Sequence, residues 1–230
     1  MKSEVFHLRA VIFANGWLNQ PVHLLPDDYI ISADGGTHHC LALGVIPRAV
    51  IGDLDSISEA ELTMLKASGV SIVEYPTRKD FTDLELALQY AQELPADQIV
   101  ILAALGARWD QTLANVLLPA AQAGAPISIV DGTQEIHYLR GAGMLQLYGQ
   151  PGDTVSLIPL GGAAQGVATQ HLEYPLHGET LHFGSTRGVS NVMMSHQASV
   201  TLQDGLLVCV VIHQQNADDQ VVDFTNRRLI

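Results

Sequence analysis

Carboxylates recur just after apolar runs in the first half of this chain. The runs YIISA, AVIG, SIVEY and QIVILAAL are each followed within a few residues by aspartate, and the set is Asp34, Asp53, Asp55, Asp80, Asp83 and Asp110. If these runs are parallel strands, ligands bind beyond their carboxyl ends, and the aspartates lie at one edge of the sheet. Carboxylates brought together repel one another, and a hard divalent cation removes that conflict. The spacing therefore predicts a Mg²⁺ site, with Asp53 and Asp55 on the loop after one strand.

A plainer explanation exists for each aspartate by itself. Asp is common in loops and at helix N-termini, so one such residue after a strand needs no ligand. The set is harder to explain in this way, because strand after strand supplies a carboxylate. Thr82 is open to both explanations, since it could cap a helix or contact a phosphate.

Basic residues and a glycine pair accompany the same loops. Arg78 and Lys79 precede Asp80, and Arg108 precedes Asp110, so each cation could neutralise a phosphate oxygen or remain a solvated surface charge. Gly35 and Gly36 could let backbone N–H groups approach a phosphate. The chain has neither a G-x-x-x-x-G-K-[ST] nor a G-x-G-x-x-G motif, so a nucleotide site here would be of another kind.

The elements that must position these residues alternate between strand and helix. Apolar runs at 8–14, 29–33, 49–52, 71–75, 98–105 and 127–130 predict six strands. Their continuous apolar character favours a parallel sheet covered on both faces. Ser58 with Glu61 and Thr82 with Glu85 predict capped helices, and a third helix runs from about Asp110 until Pro119 kinks or ends it. The pattern predicts an open, mostly parallel α/β sheet.

The amino-acid composition of the chain changes after about residue 134. Gly, Pro and Thr become more frequent, and TVSLIPL follows the turn QPGD. Asp204-Gly205 stands between two apolar runs, which predicts a β-hairpin. We expect an α/β domain over 1–134 and a smaller antiparallel β-sandwich domain over 135–230.

Composition narrows the class of protein. The 230 residues are 47% hydrophobic with a formal net charge of -13, and the 11 Lys and Arg form no basic stripe, so we expect no nucleic-acid partner. No apolar stretch approaches the roughly 20 residues of a membrane span, and the N-terminus lacks a signal-peptide core. Cys40 and Cys209 form neither a disulfide framework nor a zinc motif. We expect a cytoplasmic protein without a membrane partner.

The motifs taken together resemble the thiamine pyrophosphokinase (thiamine diphosphokinase) family. The matching stretches are SADGGTHH, VIGDLDS, YPTRKDFTDLELAL, GARWDQTLAN and YPLHGETLHFGSTRGVSN, in the family's order. The resemblance implies an α/β nucleotide domain followed by a β-sandwich, working as a homodimer with sites shared between subunits. It implies Mg²⁺-dependent transfer of pyrophosphate from ATP to the hydroxyl of thiamine, which gives thiamine diphosphate and AMP.

The resemblance also implies roles for single residues. Asp53, Asp55 and Asp83 resemble the metal and phosphate-end ligands, and Asp80 and Thr82 complete the catalytic set, although the sequence does not choose between Asp80 and Asp83 as a general base. The residues that the resemblance assigns to nucleotide contacts are Asp34, Gly35, Gly36, Arg78, Lys79, Arg108, Asp110 and Asn115. Thiamine contacts fall to Tyr174, Ser190 and Asn191, with the tyrosine ring stacking on the cationic ligand.

Some positions depart from the family pattern. His171 stands where a glycine is usual, Val192 where an acidic residue often follows the SN pair, and Ala107 and Gln111 replace a Gly and a His of many bacterial members. Two other functions stay open: a related diphosphokinase acting on another small alcohol, such as a hydroxymethyl pterin, and a thiamine- or nucleotide-binding module without catalysis.

Overall fold

The chain forms two compact units. The computed structural model describes residues 8–19, 22–106 and 108–214. The first unit comprises the described part of Met1–Asn19 together with Leu24–Asp131, and the second comprises the described parts of Gln20–His23 and Gly132–Ile230. The main division lies between Asp131 and Gly132, close to the boundary expected after residue 134.

The first unit is built on a parallel sheet of six strands. They are β1 (Arg9–Phe13), β2 (Tyr29–Ala33), β3 (Ala49–Gly52), β4 (Ser71–Glu74), β5 (Gln98–Leu102) and β6 (Ile127–Asp131). Their order is β6-β5-β1-β2-β3-β4, and every pairing is parallel, which confirms the predicted α/β sheet. Because the chain starts at β1 and later returns to its other side at β5, the order reverses there, and such a reversal opens a crevice at the carboxyl ends.

In the part of the first unit that the structure describes, four helices connect these strands: α1 (Gly36–Ala42), α2 (Glu59–Ala67), α3 (Asp83–Glu93) and α4 (Trp109–Ala121). The predicted capping box at the start of α2 is confirmed, because Glu61 N donates to Ser58 Oγ at 3.3 Å and Ser58 N donates to Glu61 Oε2 at 2.9 Å. Helix α4 contains Pro119 and ends two residues later. No helix in the described ranges is long and apolar enough to cross a bilayer.

The second unit is an antiparallel β-sandwich, as predicted. Its strands are β7 (Gln134–Arg140), β8 (Gly143–Tyr148), β9 (Thr154–Pro159), β10 (Ala164–Gln170), β11 (His177–Leu181), β12 (Asn191–Val192), β13 (Gln197–Leu202) and β14 (Leu206–Ile212). One sheet has the order β12-β9-β14-β7 and the other β11-β10-β13-β8. Buried side chains from both sheets, such as Leu147 and Leu157, form one core. This is the arrangement expected when two sheets pack face to face.

The predicted hairpin at Asp204-Gly205 is wrong. Strand β13 pairs with β8 and β10, whereas β14 pairs with β7 and β9, so the turn carries the chain from one sheet to the other. Gln165 N donates to the carbonyl oxygen of Asp204 at 2.8 Å and holds the turn to the start of β10. The turn signal was correct, but the apolar runs on either side face each other across the core instead of pairing edge to edge.

Candidate active site

A cavity of about 360 Å³ opens at the carboxyl ends of β1, β2 and β5, within the first unit. It is lined by Ala14, Asn15, Gly16, Ala33, Asp34, Thr82, Asp83, Leu84, Arg108, Asp110, Gln111, Ala114 and Asn115. Strand β1 lies between β2 and β5, so the cavity occupies the point where the strand order reverses. This is the usual ligand position in an open α/β sheet.

Three carboxylates meet beside this cavity. Asp34 follows β2, Asp53 follows β3, and Asp83 is the first residue of α3. Each offers an oxygen atom, and these atoms lie within 4.8 Å of one another. We call these three residues the carboxylate cluster. Sequence reasoning selected all three, but it assigned Asp34 to the nucleotide and gave Asp55 to the metal.

The backbone at Gly52 allows the cluster to form. Its φ of +151° is one that side chains rarely adopt, and an added Cβ would lie 2.9 Å from Asp34 Cβ and 3.0 Å from Asp83 Oδ1. A larger residue would therefore push the cluster apart. Asp34 itself has a φ of +41°, and its N–H donates to the Ile51 carbonyl at 2.8 Å. Such strained backbone is typical of functional sites.

Only one of the two oxygens of the Asp34 carboxylate has a hydrogen-bond partner among the described residues. Oδ2 accepts a 2.5 Å hydrogen bond from Ser56 Oγ, while Oδ1 is buried and has no hydrogen-bond partner among the described residues. A buried acceptor without a partner is costly. A hard cation bound by the cluster would satisfy it, and oxygen donors of this kind are what Mg²⁺ prefers. The residues present therefore fit a divalent cation.

Lys79 lies against the cluster. Its Nζ is 2.9 Å from Asp83 Oδ1 and 3.3 Å from Asp53 Oδ2, and 12% of its side chain is exposed. Burial works against its charge, but the close contacts and negative charges of Asp83 and Asp53 outweigh burial and raise the pKa of Lys79.

The Asp83 carboxyl feels opposing effects. Burial raises its pKa, the close contact and positive charge of Lys79 lower it in part, and the charges of Asp53 and Asp34 raise it again. The net result is a pKa above the ordinary value for aspartate. Crowding of like charges is a feature that a bound cation would relieve.

Other predicted residues lie around the cluster and not within it. Asp55 is exposed, with its N–H 3.5 Å from Asp53 Oδ1 and its Oδ1 accepting from Ser56 Oγ at 3.3 Å. Arg78 and Asp80 are exposed on the loop before α3. Thr82 lines the cavity and caps α3, because its Oγ1 accepts from Glu85 N at 3.2 Å.

An ion pair lines part of the cavity wall. Arg108 Nε donates to Asp110 Oδ1 at 3.1 Å, and both side chains are about two-thirds exposed. The hydrogen bond from Arg108 lowers the pKa of Asp110, and the pair raises that of Arg108. Asn115 also lines this wall, and its Nδ2 donates to the Ala104 carbonyl at 2.7 Å. Ala107 lies outside the described residues.

Gly35 and Gly36 lie at the start of α1. An added Cβ on Gly36 would collide with the Phe13 carbonyl oxygen, so this glycine lets the helix start pack against the end of β1. Gly35 similarly faces the Asn15 side chain. Close packing thus explains both glycines without a ligand.

The predicted thiamine contacts come together in the second unit. Asn191 is buried, and its side chain makes two hydrogen bonds to the backbone of Tyr174, which we call the Asn191 clamp. Asn191 Oδ1 accepts from the Tyr174 N–H at 3.0 Å, and Asn191 Nδ2 donates to the Tyr174 carbonyl at 2.7 Å. The Tyr174 side chain is 59% exposed. Ser190 has a φ of +62° and His171 one of +60°, which gives a conformational reason for the glycine that is usual at the latter position.

Sequence reasoning missed Asn15, Gly16 and Ser56. Gly16 N donates to the Ala103 carbonyl at 2.7 Å, which ties the loop after β1 to the loop after β5. The available signal was the polar Asn15-Gly16 pair directly after the apolar run of β1. Ser56 could have been noticed from the Asp55-Ser56 pair, but its bond to Asp34 is not visible in sequence.

Comparison with known proteins agrees with this geometry. Residues 23–129 match the family model of the thiamin pyrophosphokinase catalytic domain, and residues 135–207 match that of the thiamin pyrophosphokinase vitamin B1 binding domain. Together the two matches span well over half of the chain.

Relatives of known structure or name point the same way. Thiamine pyrophosphokinase of Bacillus subtilis (strain 168) is 28% identical over 200 residues, which are 83% of this chain and 94% of that protein. A crystal structure of thiamine pyrophosphokinase from Bacillus subtilis superposes with a TM-score of 0.80 at 25% identity, covering 90% of this chain and 100% of that one. Thiamin pyrophosphokinase from Candida albicans shares the fold, with a TM-score of 0.71 at 15% identity over 89% and 90% of the chains. The chain therefore belongs to the thiamin pyrophosphokinase family of ATP-dependent diphosphotransferases.

Proposed function

We propose that this chain catalyses Mg²⁺-dependent transfer of pyrophosphate from ATP to the hydroxyl of thiamine, giving thiamine diphosphate and AMP, at the cavity of the first unit. The observation that carries the proposal is the carboxylate cluster, in which Asp34, Asp53 and Asp83 offer oxygens within 4.8 Å of one another beside that cavity. A pure binding module for thiamine or ATP has little use for three converging acids.

Asp34, Asp53 and Asp83 would hold the metal ion. When bound, Mg²⁺ supplies charge neutralisation to the phosphate oxygens during phosphoryl transfer. The unsatisfied Asp34 Oδ1 supports this assignment. Asp55, exposed on the same loop, would act through one of the water molecules that Mg²⁺ usually keeps.

The nucleotide would lie along the cavity with its phosphates toward the cluster. Arg78, Lys79 and Arg108 would neutralise phosphate oxygens, and the Thr82 hydroxyl, which lines the cavity, would donate to one of them. Asp110 and Asn115, which line the cavity, would form the remaining wall. Asp83 or Asp80 would accept the proton of the attacking hydroxyl.

Thiamine would contact the second unit. Tyr174 presents an exposed ring that can stack on a flat cation, and Asn191 and Ser190 hold the chain around it. We further propose a two-fold homodimer in which the catalytic unit of one subunit and the thiamine-contacting unit of the other build each site. We place the enzyme in the cytoplasm, which its two buried free cysteines support.

The decisive experiment is incubation of the purified chain with ATP, Mg²⁺ and thiamine, with products identified by mass. We expect thiamine diphosphate and AMP in equal amounts, and no product after EDTA treatment. ADP with thiamine monophosphate instead would contradict pyrophosphate transfer.

Two controls address the alternatives. A panel of alcohols that includes a hydroxymethyl pterin, read as AMP release, separates thiamine from other acceptors. Equilibrium binding of thiamine without AMP release would favour the silent binding module.

A further inference from the structure

Lys79 reaches from the loop between β4 and α3 into the carboxylate cluster. Its ammonium contacts Asp83 at 2.9 Å and Asp53 at 3.3 Å, and 12% of its side chain is exposed. Arg78, directly before it, is exposed. Lys79 thus holds a partly buried position of the kind that opposite charges stabilise.

The charges around this position favour a second cation. The three carboxylates carry three negative charges when ionised, and Lys79 neutralises one of them, which leaves two. A divalent ion would match that remainder, but it would seek the same Asp53 and Asp83 carboxylates that Lys79 contacts. Two cations that share these carboxylates repel each other across a few ångströms.

We propose that Lys79 is a displaceable counter-ion of the metal site. This inference rests on the proposed Mg²⁺-dependent function. Without metal, Lys79 holds Asp53 and Asp83 together. When the metal ion binds, the lysine leaves these carboxylates, and its flexible side chain carries the ammonium to the phosphates of ATP. Lys79 therefore both limits metal affinity in the resting protein and adds positive charge during turnover.

This role differs measurably from simple support of the site. If Lys79 only maintained the local fold, its removal would weaken metal binding. If Lys79 competes with the metal, its removal strengthens metal binding in the absence of nucleotide and still slows turnover. Competition therefore predicts that removal of Lys79 raises the metal affinity and lowers the turnover rate, whereas simple support of the fold predicts that both fall.

The first test measures Mn²⁺ binding to the nucleotide-free protein by electron paramagnetic resonance of the free ion. We expect Lys79→Met to bind Mn²⁺ about ten-fold more tightly than the unchanged chain and to show a lower kcat. Lys79→Arg keeps the charge and should stay near wild type in affinity. Lys66→Met, which alters an exposed lysine of α2, should change neither quantity. Equal or weaker Mn²⁺ binding by Lys79→Met would overturn the inference.

The second test uses the unchanged chain, so it does not depend on how a variant folds. The sequence contains only three lysines, Lys2, Lys66 and Lys79, which makes reductive methylation easy to read by mass. We expect Mg²⁺ to accelerate methylation of Lys79 several-fold and to leave Lys66 unchanged. A Lys79 rate that stays constant or falls would overturn the inference. The Mn²⁺-binding and methylation measurements contain neither ATP nor thiamine, so each can fail while the product assay succeeds, and the reverse.

Discussion

Asp53 and Asp55 are separated by one residue but have different surroundings. Asp53 belongs to the carboxylate cluster and contacts Lys79, whereas Asp55 is exposed and accepts a hydrogen bond from Ser56. Leu54 between them is buried with a φ of +63°, which turns the two carboxylates to different environments. The difference allows the two residues to be tested separately.

We expect Asp53→Asn to reduce kcat by at least about a hundred-fold at moderate Mg²⁺, because it removes a direct metal ligand. Asp55→Asn should cost about ten-fold or less, because a water molecule can stand between Asp55 and the ion. Steady-state AMP release over a Mg²⁺ titration measures both. Wild-type turnover in Asp53→Asn would contradict the metal site, and equal losses in both variants would make Asp55 a direct ligand.

Thr82 combines a cap with a place in the cavity wall. Thr82→Ala should lower the free energy of unfolding by about 1 kcal/mol, because α3 loses its N-cap. It should also slow turnover, because the hydroxyl that would donate to phosphate is gone. Thr82→Ser keeps the hydroxyl and should be nearly silent in both respects. Urea unfolding and kcat, measured well below the melting temperature, separate the effects, and an Ala variant of normal kcat would leave Thr82 with a capping role alone.

At the scale of elements, a network of polar side chains connects the residue after β14 to strand β7 and to the turn before β9. His213 lies between Glu135 of β7, at 3.1 Å, and Asp153 before β9, at 2.7 Å. His137 of β7 is 2.8 Å from the second oxygen of Glu135. Burial, helped by the charge of His213, lowers the pKa of His137 to about 4.

This lowered pKa predicts acid sensitivity. The unfolded chain has an ordinary histidine pKa near 6.5, so between about pH 6.5 and pH 4 the unfolded state binds more protons than the folded state. Stability is therefore fully present above about pH 6.5 and is lost as the pH falls toward 4, by roughly 2 to 3 kcal/mol from this group.

Urea unfolding followed by circular dichroism from pH 7 to pH 4 measures that loss. His137→Gln, which cannot titrate, should show a shallower decline than the unchanged chain. His182→Gln, at an exposed position of the same unit, should leave the slope unchanged. Identical slopes for the unchanged chain and His137→Gln would contradict the assignment.

Elements differ in how well the sequence predicts them. The six strands of the first unit and the start of α2 were predicted, because continuous apolar runs and capping residues are local signals. The pairing of the strands in the sandwich was not predicted. Strands β13 and β14 carry similar apolar runs, and only packing decides which sheet each one joins.

The candidate site was likewise predicted in part. Strand topology brought Asp34, Asp53 and Asp83 to one edge, as the sequence indicated. The contacts of Lys79 with two of them, and the bond from Ser56 to Asp34, depend on side-chain directions in three loops, which no local pattern encodes.

At the scale of the whole molecule, the proposed homodimer requires residues from two chains at each site. The motivation is that Asp83 belongs to the first unit, whereas Tyr174, with its exposed ring, belongs to the second. An Asp83→Asn chain and a Tyr174→Ala chain should each be nearly inactive alone. Tyr174→Ala removes an exposed ring and leaves the Asn191 clamp on the backbone in place, so it should fold normally.

Mixing the two chains tests the arrangement. Under two-fold symmetry, a mixed dimer holds one doubly damaged site and one intact site. Equal random assembly makes about half of the dimers mixed, so roughly a quarter of wild-type activity should return in the unfractionated mixture and about half in purified mixed dimers. The chains should be co-expressed with two different affinity tags and purified over both, because a stable dimer exchanges slowly. Doubly tagged dimers that stay inactive would show that each site is built within one chain, and the proposed position of thiamine between subunits would be wrong.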